Sequence, residues 1–180
     1  MNLSLIPNLL SSLRIILIPV IIIVGSFNHP YSGYLASFLF LLASVTDFFD
    51  GYLARKFEAT STLGGLLDLL ADKLLITCLL IWLLTIYEPS LILIPVLIII
   101  SREIFLSSLR EFLSLQDIKK IKVNWLGKLK TFIQMISVIL LLAAISQDWY
   151  LKEVGIISLW IASFFSVLSM IFYLREVLND

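Results

Sequence analysis

Long apolar runs separated by short polar turns limit the folds that this sequence can adopt. A helix that crosses a bilayer needs about 20 mostly apolar residues. Six runs approach or exceed that length, and they are Leu9–Gly25, Gly33–Phe49, Leu63–Ile86, Leu91–Phe112, Phe132–Ser146 and Val154–Leu174. Short turns such as Asn28-His29-Pro30 and Glu88-Pro89-Ser90 separate them. We therefore predict an all-α, polytopic membrane protein with six transmembrane helices, in one membrane domain over residues 1–180.

Composition excludes several other classes of protein. Apolar residues make up 60% of the 180 residues and charged residues 14%, whereas ordinary soluble domains have roughly 45–50% and 25%. A soluble globular domain and a disordered chain are therefore excluded. The 13 basic residues balance the 13 acidic ones, so we expect no nucleic-acid partner bound by bulk positive charge. The single cysteine, Cys78, rules out an internal disulfide framework.

The distribution of basic residues predicts the orientation in the membrane. Lys and Arg concentrate in the cytoplasmic loops of membrane proteins. With a cytoplasmic N-terminus, all but one of the 13 basic residues lie at or near the cytoplasmic face, and only Lys152 lies outside. An even number of spans returns the C-terminus to the same side. We therefore predict that both termini are cytoplasmic, in a multi-pass protein of the cell (inner) membrane.

Four aspartates interrupt the apolar pattern where the second predicted helix ends and the third begins. Asp47 and Asp50 are three residues apart, and Asp68 and Asp72 are four apart, so each pair shares one helix face. An ionised side chain near the centre of a membrane helix costs roughly 2.5–3.5 kcal/mol, so four of them need compensation. We expect the two helices to be antiparallel neighbours that bring the four carboxylates together.

Bound cations would compensate this cluster. Carboxylate oxygens without His or Cys ligands favour hard divalent ions such as Mg²⁺ or Mn²⁺, and the only histidine, His29, lies in an outer turn. Two such ions would neutralise four aspartates and leave positions open for phosphate oxygens. The alternative explanation is ion pairing with Arg55, Lys56 and Lys73, but surface pairing does not require carboxylates that share a helix face.

The segment from Asp47 to Asp72 follows the pattern D-x2-D-G-x2-A-R-x8-G-x3-D-x3-D. Gly51 and Gly64 within it lack side chains, which allows a bulky polyanion to approach closely. The pattern resembles the signature of the CDP-alcohol phosphotransferases, and every fixed position is present. Leu69 departs from a related form of the motif in which proline is usual, but this change removes no charged group.

The resemblance covers about Pro7 to Gln134. Pro7-Asn8-Leu9-Leu10-Ser11, with Arg14-Ile15, is similar to the family's N-terminal stretch. Arg102-Glu103-Ile104, Leu109-Arg110 and Gly127-Lys128-Leu129-Lys130-Thr131 with Gln134 resemble a branch of the family whose acceptor is sn-glycerol 3-phosphate.

The resemblance implies transfer of a phosphatidyl group from CDP-diacylglycerol to an alcohol, with release of CMP. It implies metal coordination by the four aspartates, and it gives Asp72 the further role of accepting the proton of the attacking hydroxyl. The positions that match contacts to the CDP moiety are Asn8, Ser11, Gly51, Arg55 and Ser61. A homodimer, with its active site at the cytoplasmic face, is also implied.

A second set of charges suits the acceptor. The cations on the cytoplasmic portions of the fourth and fifth predicted helices are Arg102, Arg110, Lys128 and Lys130. Guanidinium and ammonium groups bind phosphomonoesters well, so we expect these residues to hold the acceptor phosphate. The orientation rule and attraction to anionic lipid would also place basic residues here. Arg102 has a further alternative, which is pairing with a neighbouring acid.

The favoured function is therefore phosphatidyl transfer to sn-glycerol 3-phosphate. One alternative is a sibling enzyme that uses inositol phosphate or another alcohol. A different class, a divalent-cation transporter, would also use buried carboxylates. A transport pathway requires polar residues across the whole membrane, whereas the outer halves of the predicted spans are almost wholly apolar. This contrast favours an enzyme with a site on one side of the membrane.

Overall fold

A computed structural model describes residues 5–56, 62–115 and 125–179 of the chain. Over these residues the protein consists of α-helices joined by turns, without β-strands. The helices are α1 (Leu5–Ser26), α2 (Ser32–Lys56), α3 (Thr62–Ile86), α4 (Pro89–Leu115), α5 (Trp125–Ala144) and α6 (Trp149–Asn179). The predicted all-α architecture and the number of helices are confirmed.

Four of the helices contain segments that are long and apolar enough to cross a membrane. These segments are Leu69–Ile86, Pro89–Leu115, Trp125–Ala144 and Trp149–Val177. The apolar parts of the first two helices, Ser11–Ser26 and Ser32–Thr46, are shorter. Many large apolar side chains face outward, and Phe38 and Ile94 are each more than half exposed. Such a surface suits lipid, so the membrane character expected from composition is supported.

Several helices begin earlier than the apolar runs predict. The fifth begins at Trp125 rather than Phe132, and the sixth begins at Trp149 rather than Val154. Pro89, which we expected in a turn, is the first residue of α4. Proline is well suited to this position because its missing N–H would have no helical partner there. Hydropathy identifies the lipid-embedded part of a helix, whereas the hydrogen-bonded backbone continues beyond it.

Three turns meet at one end of the bundle, which we call the turn end. It contains the α1–α2, α3–α4 and α5–α6 connections. The Gly33 amide at the start of α2 donates to Ser146 Oγ (3.0 Å), and the Tyr87 hydroxyl donates to the Leu141 carbonyl (2.5 Å). Burial also raises the pKa of Tyr87 well above its ordinary value. The opposite end, where α2 and α4 end and α3 and α5 begin, is the motif end.

The packing between helices places α1 against two neighbours and α6 against two others. Over the described residues, α1 packs against both α2 and α3, α2 also packs against α5, and α6 packs against α4 and α5. The predicted pairing of α2 with α3 concerns the stretches around Asp47, Asp50 and Asp68, whose side chains lie outside the described part of the structure, so it stays a prediction.

A proline within α4 is compensated by another helix. Pro95 has no N–H, so it cannot donate to the carbonyl of Leu91 four residues earlier. The indole Nε1 of Trp160 in α6 donates to this carbonyl at 3.0 Å. Trp160 thus supplies a hydrogen bond that α4 cannot make for itself. The pair helps to join α4 to α6.

Candidate functional site

The aspartate motif lies on two helices at the motif end. Asp47 and Asp50 belong to the last part of α2, and Asp68 and Asp72 belong to the first part of α3. The helical spacing on which the face-sharing argument depends is therefore present in both. Asp72 has an exposed side chain, whereas the side chains of the other three lie outside the described part of the structure. Among the described side chains, no group of three or more His, Cys, Asp or Glu is placed to hold a metal.

The residues expected to contact CDP lie on α1, on α2 and after α2. Asn8 belongs to α1, and Gly51 and Arg55 belong to the last two turns of α2. The side chains of Asn8 and Arg55 are not described. Ser61 lies outside the described residues. Ser11 is buried in α1, and its hydroxyl accepts a hydrogen bond of 3.5 Å from Nη2 of Arg14, one turn further along the helix.

Arg14 is buried, with 1% of its surface exposed. The sequence analysis did not assign it to the site. Its signal in the sequence is a lone charge inside the first apolar run. Because an ionised side chain is costly inside a membrane helix, such a residue is a candidate for function. Its hydrogen bond to Ser11 links it to a position matched to the CDP subsite.

A second group of charged residues connects α4, α5 and α6. Oε1 of Glu103 in α4 accepts hydrogen bonds from the Lys130 ammonium of α5 and from Nη1 of Arg102, the latter at 3.1 Å. Nη2 of Arg102 donates to Ser169 Oγ in α6 at 2.9 Å. The prediction that Arg102 pairs with a neighbouring acid is therefore confirmed. We call Arg102, Glu103, Lys130 and Ser169 the charged network.

Arg110 lies beside this network. It is two turns after Arg102 in α4, and the two positive charges are close enough to repel each other. Its guanidinium carbon is 5.5 Å from the centre of the Tyr173 ring of α6, a distance suited to a cation–π contact. Lys130 interacts electrostatically with Arg102 and also with Asp72 of the aspartate motif. The structure thus brings three of the four predicted acceptor cations together and relates them to the motif.

Lys128 is the exception among these four. It is two residues from Lys130 on α5, and residues at this spacing point to different sides of a helix. Lys130 is 1% exposed, whereas Lys128 is exposed. The sequence pattern grouped the two lysines, but the helix separates them.

The charged network and the residues one helical turn from it include polar side chains that the sequence analysis did not assign to the site. Glu103 was noted only as part of a motif, although an acid next to Arg102 within an apolar run indicates a paired charge. Gln134 lies one turn after Lys130, and its buried Oε1 has no hydrogen-bond partner among the described residues. Ser166, one turn before Ser169, likewise has a buried hydroxyl that lacks a partner within the described part of the chain.

A cavity at the turn end is unrelated to these residues. It has a volume of about 510 Å³ and is lined by the ends of α1, α3 and α5 and the adjoining turns, including His29 and Trp82. No predicted site residue contributes to its lining. The predicted site residues belong instead to the motif end of the bundle.

Comparisons with known proteins identify the family of this chain. The family model described as CDP-alcohol phosphatidyltransferase matches residues 4–168, which include the aspartate motif and, of the charged network, Arg102, Glu103 and Lys130. The chain is 44% identical over 171 residues to the CDP-diacylglycerol–glycerol-3-phosphate 3-phosphatidyltransferase of Rickettsia bellii, covering 94% of this chain and 93% of the relative. Proteins of the same name from Haemophilus influenzae and Shigella flexneri are 39% and 35% identical, over 94% and 97% of this chain and 91% and 96% of their own lengths. The chain therefore belongs to the CDP-alcohol phosphatidyltransferase family.

Proposed function

We propose that this protein transfers the phosphatidyl group of CDP-diacylglycerol to sn-glycerol 3-phosphate. The products are phosphatidylglycerol phosphate and CMP. Relatives that share 35–44% identity over nearly the whole chain carry the name of this activity. The structural observation that carries the proposal is the contact of Arg102 and Lys130 with one oxygen of Glu103, with Arg110 within electrostatic reach of Arg102 and Asp72 within reach of Lys130. This arrangement would provide a phosphate-binding region near the aspartate motif.

The charge of this region fits a phosphorylated acceptor. Arg102, Arg110 and Lys130 carry three positive charges, and Glu103 offsets one of them. The remaining two positive charges match a phosphomonoester, which carries about −1.5 to −2 at neutral pH. Free serine would match them less well, because the single negative charge of its carboxylate is offset by its own ammonium group. The proposal therefore favours glycerol 3-phosphate among alcohol acceptors.

The aspartate motif fits the binding of divalent cations. Asp47, Asp50, Asp68 and Asp72 would hold Mg²⁺ or Mn²⁺, in our proposal two ions, because a donor set of carboxylates suits hard cations. Bound there, the ions would polarise the pyrophosphate of CDP-diacylglycerol and stabilise the charge on the departing CMP. The CDP moiety would be contacted by Asn8, Ser11, Gly51, Arg55 and Ser61. Arg14 donates a hydrogen bond to the Ser11 hydroxyl.

The reaction replaces a phosphoanhydride bond of the donor with a phosphate ester bond to the acceptor. A hydroxyl oxygen of the acceptor attacks the phosphorus that bears the diacylglycerol group, and the bond from this phosphorus to the CMP oxygen breaks. We assign the proton of the attacking hydroxyl to a carboxylate oxygen of Asp72. Its exposed side chain and its electrostatic interaction with Lys130 support this assignment. The charged network orients the acceptor phosphate.

The location in the membrane follows from the same arrangement. We propose a single membrane domain with the motif end at the cytoplasmic face of the inner membrane, where most basic residues lie. The acyl chains of the donor would remain in lipid beside the apolar helix surfaces, while its headgroup reaches the aspartates. We also propose that the protein is a homodimer, as its resemblance to the family implies.

A panel of acceptors tests the function. Purified protein with CDP-diacylglycerol and Mg²⁺ is given glycerol 3-phosphate, glycerol, inositol phosphate or serine, and the release of CMP is measured. We expect turnover with glycerol 3-phosphate and little with glycerol. Turnover that prefers inositol phosphate or serine would contradict the proposed acceptor. A reaction without any acceptor measures hydrolysis of the donor by water and serves as the control.

A further inference from the structure

Glu103 is the residue on which the charged network depends. A single carboxylate oxygen accepts hydrogen bonds from cations on both α4 and α5. Arg102, oriented by this bond, continues the network to Ser169 of α6, whose hydroxyl donates to the carbonyl of Ser166. The described parts of α4 and α5 have little direct backbone contact with each other. Glu103 therefore provides a specific polar connection between two helices that both pack on α6.

The two cations retain donors that the network does not use. The Lys130 ammonium has three N–H donors, and it directs one of them to Glu103. Nε of Arg102 is buried and lacks a hydrogen-bond partner among the described residues. Because Lys and Arg side chains have many rotamers, binding an anion normally costs the entropy of ordering them. Here the shared carboxylate oxygen of Glu103 orders both side chains.

We propose that Glu103 is a positioning residue, which holds Lys130 and Arg102 in the orientation that receives the phosphate of the acceptor. This inference rests on the proposed function, because it takes the acceptor to be a phosphomonoester. It adds a role for an acid in a region where electrostatic attraction alone would favour only cations. Glu103 does not touch the reacting atoms, and it acts through the two cations that it holds.

The direction in which Glu103→Gln changes the acceptor KM distinguishes a positioning role from a simple adjustment of charge. Glu103→Gln adds one net positive charge to the region. If Glu103 only moderated the charge, the added attraction for a phosphate dianion would lower the apparent acceptor KM. If Glu103 positions the cations, the loss of their shared acceptor raises the KM in spite of the added attraction. We expect a rise of about tenfold, the size associated with losing one charge-assisted hydrogen bond.

Steady-state kinetics of the full-length protein in detergent or lipid test this directly. The KM for glycerol 3-phosphate and the KM for CDP-diacylglycerol are measured for the parent, Glu103→Gln and Glu103→Asp. We expect only the acceptor KM to rise in Glu103→Gln, and a smaller rise in Glu103→Asp, which keeps the charge but is shorter. Glu111→Gln is the matched control, because Glu111 is an exposed acid on the same helix, and we expect its KM values to equal those of the parent.

A double variant keeps the proposal testable if Glu103→Gln does not fold. Glu103→Gln leaves the Lys130 ammonium buried without its anion, which is destabilising. Glu103→Gln with Lys130→Gln removes both charges and restores a neutral pair. If Glu103 acts through Lys130, Glu103→Gln raises the acceptor KM much less in the Lys130→Gln background than in the parent, because only Arg102 is then left to misplace. Independent, multiplicative effects in this cycle would overturn the proposal.

The outcomes separate this inference from the proposed function. If the parent does not use glycerol 3-phosphate, the proposed function is wrong and the inference is rejected together with it. If the parent uses glycerol 3-phosphate and Glu103→Gln has an unchanged or lower acceptor KM, the function stands and the positioning role is wrong. A loss of thermal stability with both KM values unchanged would give Glu103 a purely structural role and would also reject the proposal.

Discussion

Two lysines of α5 show how strongly the surroundings of a single residue determine its role. Lys130 is buried against Glu103, whereas Lys128, two residues earlier, is exposed. Both match the same short motif in the sequence. Only Lys130 joins the cations contributed by α4, because the helical rotation between the two positions directs their side chains to different sides.

Arg110 provides the cleanest residue-level test of acceptor binding. It is exposed and lies over Tyr173, so its removal leaves no buried anion unpaired among the described residues. We predict that Arg110→Gln raises the acceptor KM by about tenfold, because one charged hydrogen bond to the phosphate is lost. The KM for CDP-diacylglycerol stays close to that of the parent.

Lys128→Gln is the matched control for Arg110→Gln, because it removes one exposed positive charge from the same end of the bundle. We expect less than about a twofold change in the acceptor KM, the size typical of a surface charge. Equal effects of the two substitutions would mean that Arg110 acts only through general electrostatic attraction. CMP release at varied glycerol 3-phosphate concentration measures both variants.

Asp72 tests the assignment of the general base. Asp72→Asn keeps the shape of the side chain but removes the group that accepts the proton. We predict a fall in kcat of about 10²–10⁴-fold, the usual contribution of a general base, with a much smaller change in CDP-diacylglycerol binding. Glu88→Gln, which neutralises an exposed acid at the turn end, should leave both quantities unchanged. Equal losses of binding and turnover would make Asp72 chiefly a metal ligand.

At the scale of helices, the hydrogen bond from Trp160 to Leu91 is a test of how α4 and α6 are joined. Trp160→Phe keeps an aromatic ring but removes the only N–H of the side chain. The Leu91 carbonyl then has no donor from Pro95 or from Trp160, and an unpaired carbonyl costs about 1–3 kcal/mol. We predict a lower midpoint of thermal unfolding in detergent for this variant.

Trp149→Phe is the control for this substitution. Trp149 is 71% exposed at the start of α6, so the same exchange of side chains there should leave the midpoint close to that of the parent. If both variants unfold at the same temperature, the bond to Leu91 contributes nothing measurable. The comparison separates the lost hydrogen bond from the general effect of replacing an indole by a phenyl ring.

At the scale of the whole molecule, the turn end and the motif end are expected to face opposite sides of the membrane. The single cysteine makes this testable, because Cys78→Ala gives a background without thiols. Glu88→Cys then places a thiol at the turn end, and Glu111→Cys places one towards the motif end. Both residues are exposed.

We predict that a membrane-impermeant thiol reagent labels Glu88→Cys in intact cells and labels Glu111→Cys only after permeabilisation. The physical reason is the excess of basic residues at the motif end, which remain on the cytoplasmic side during insertion. Labelling in the reverse order would contradict the predicted orientation and the proposed cytoplasmic active site. Labelling of both variants after permeabilisation shows that each thiol can react.

The sequence alone determined the membrane class, the number of helices and the position of the aspartate motif. These properties depend on local patterns: the length of apolar runs, and the spacing of charges along a helix. The location of Asp47, Asp50, Asp68 and Asp72 on α2 and α3 follows from the same patterns. Helix ends were predicted less accurately, because the hydrogen-bonded backbone extends beyond the apolar segment that hydropathy detects.

Only the tertiary structure decided which helices pack together and which charges meet. Sequence order does not indicate that α1 packs against both α2 and α3, or that α6 packs against both α4 and α5. The sharing of one Glu103 oxygen by Arg102 and Lys130, and the separation of Lys128 from them, depend on how α4, α5 and α6 are rotated about their axes. That rotation is set by side-chain packing between residues far apart in the chain. A local sequence pattern does not specify those contacts. It therefore predicted a group of cations but not which of them contact Glu103.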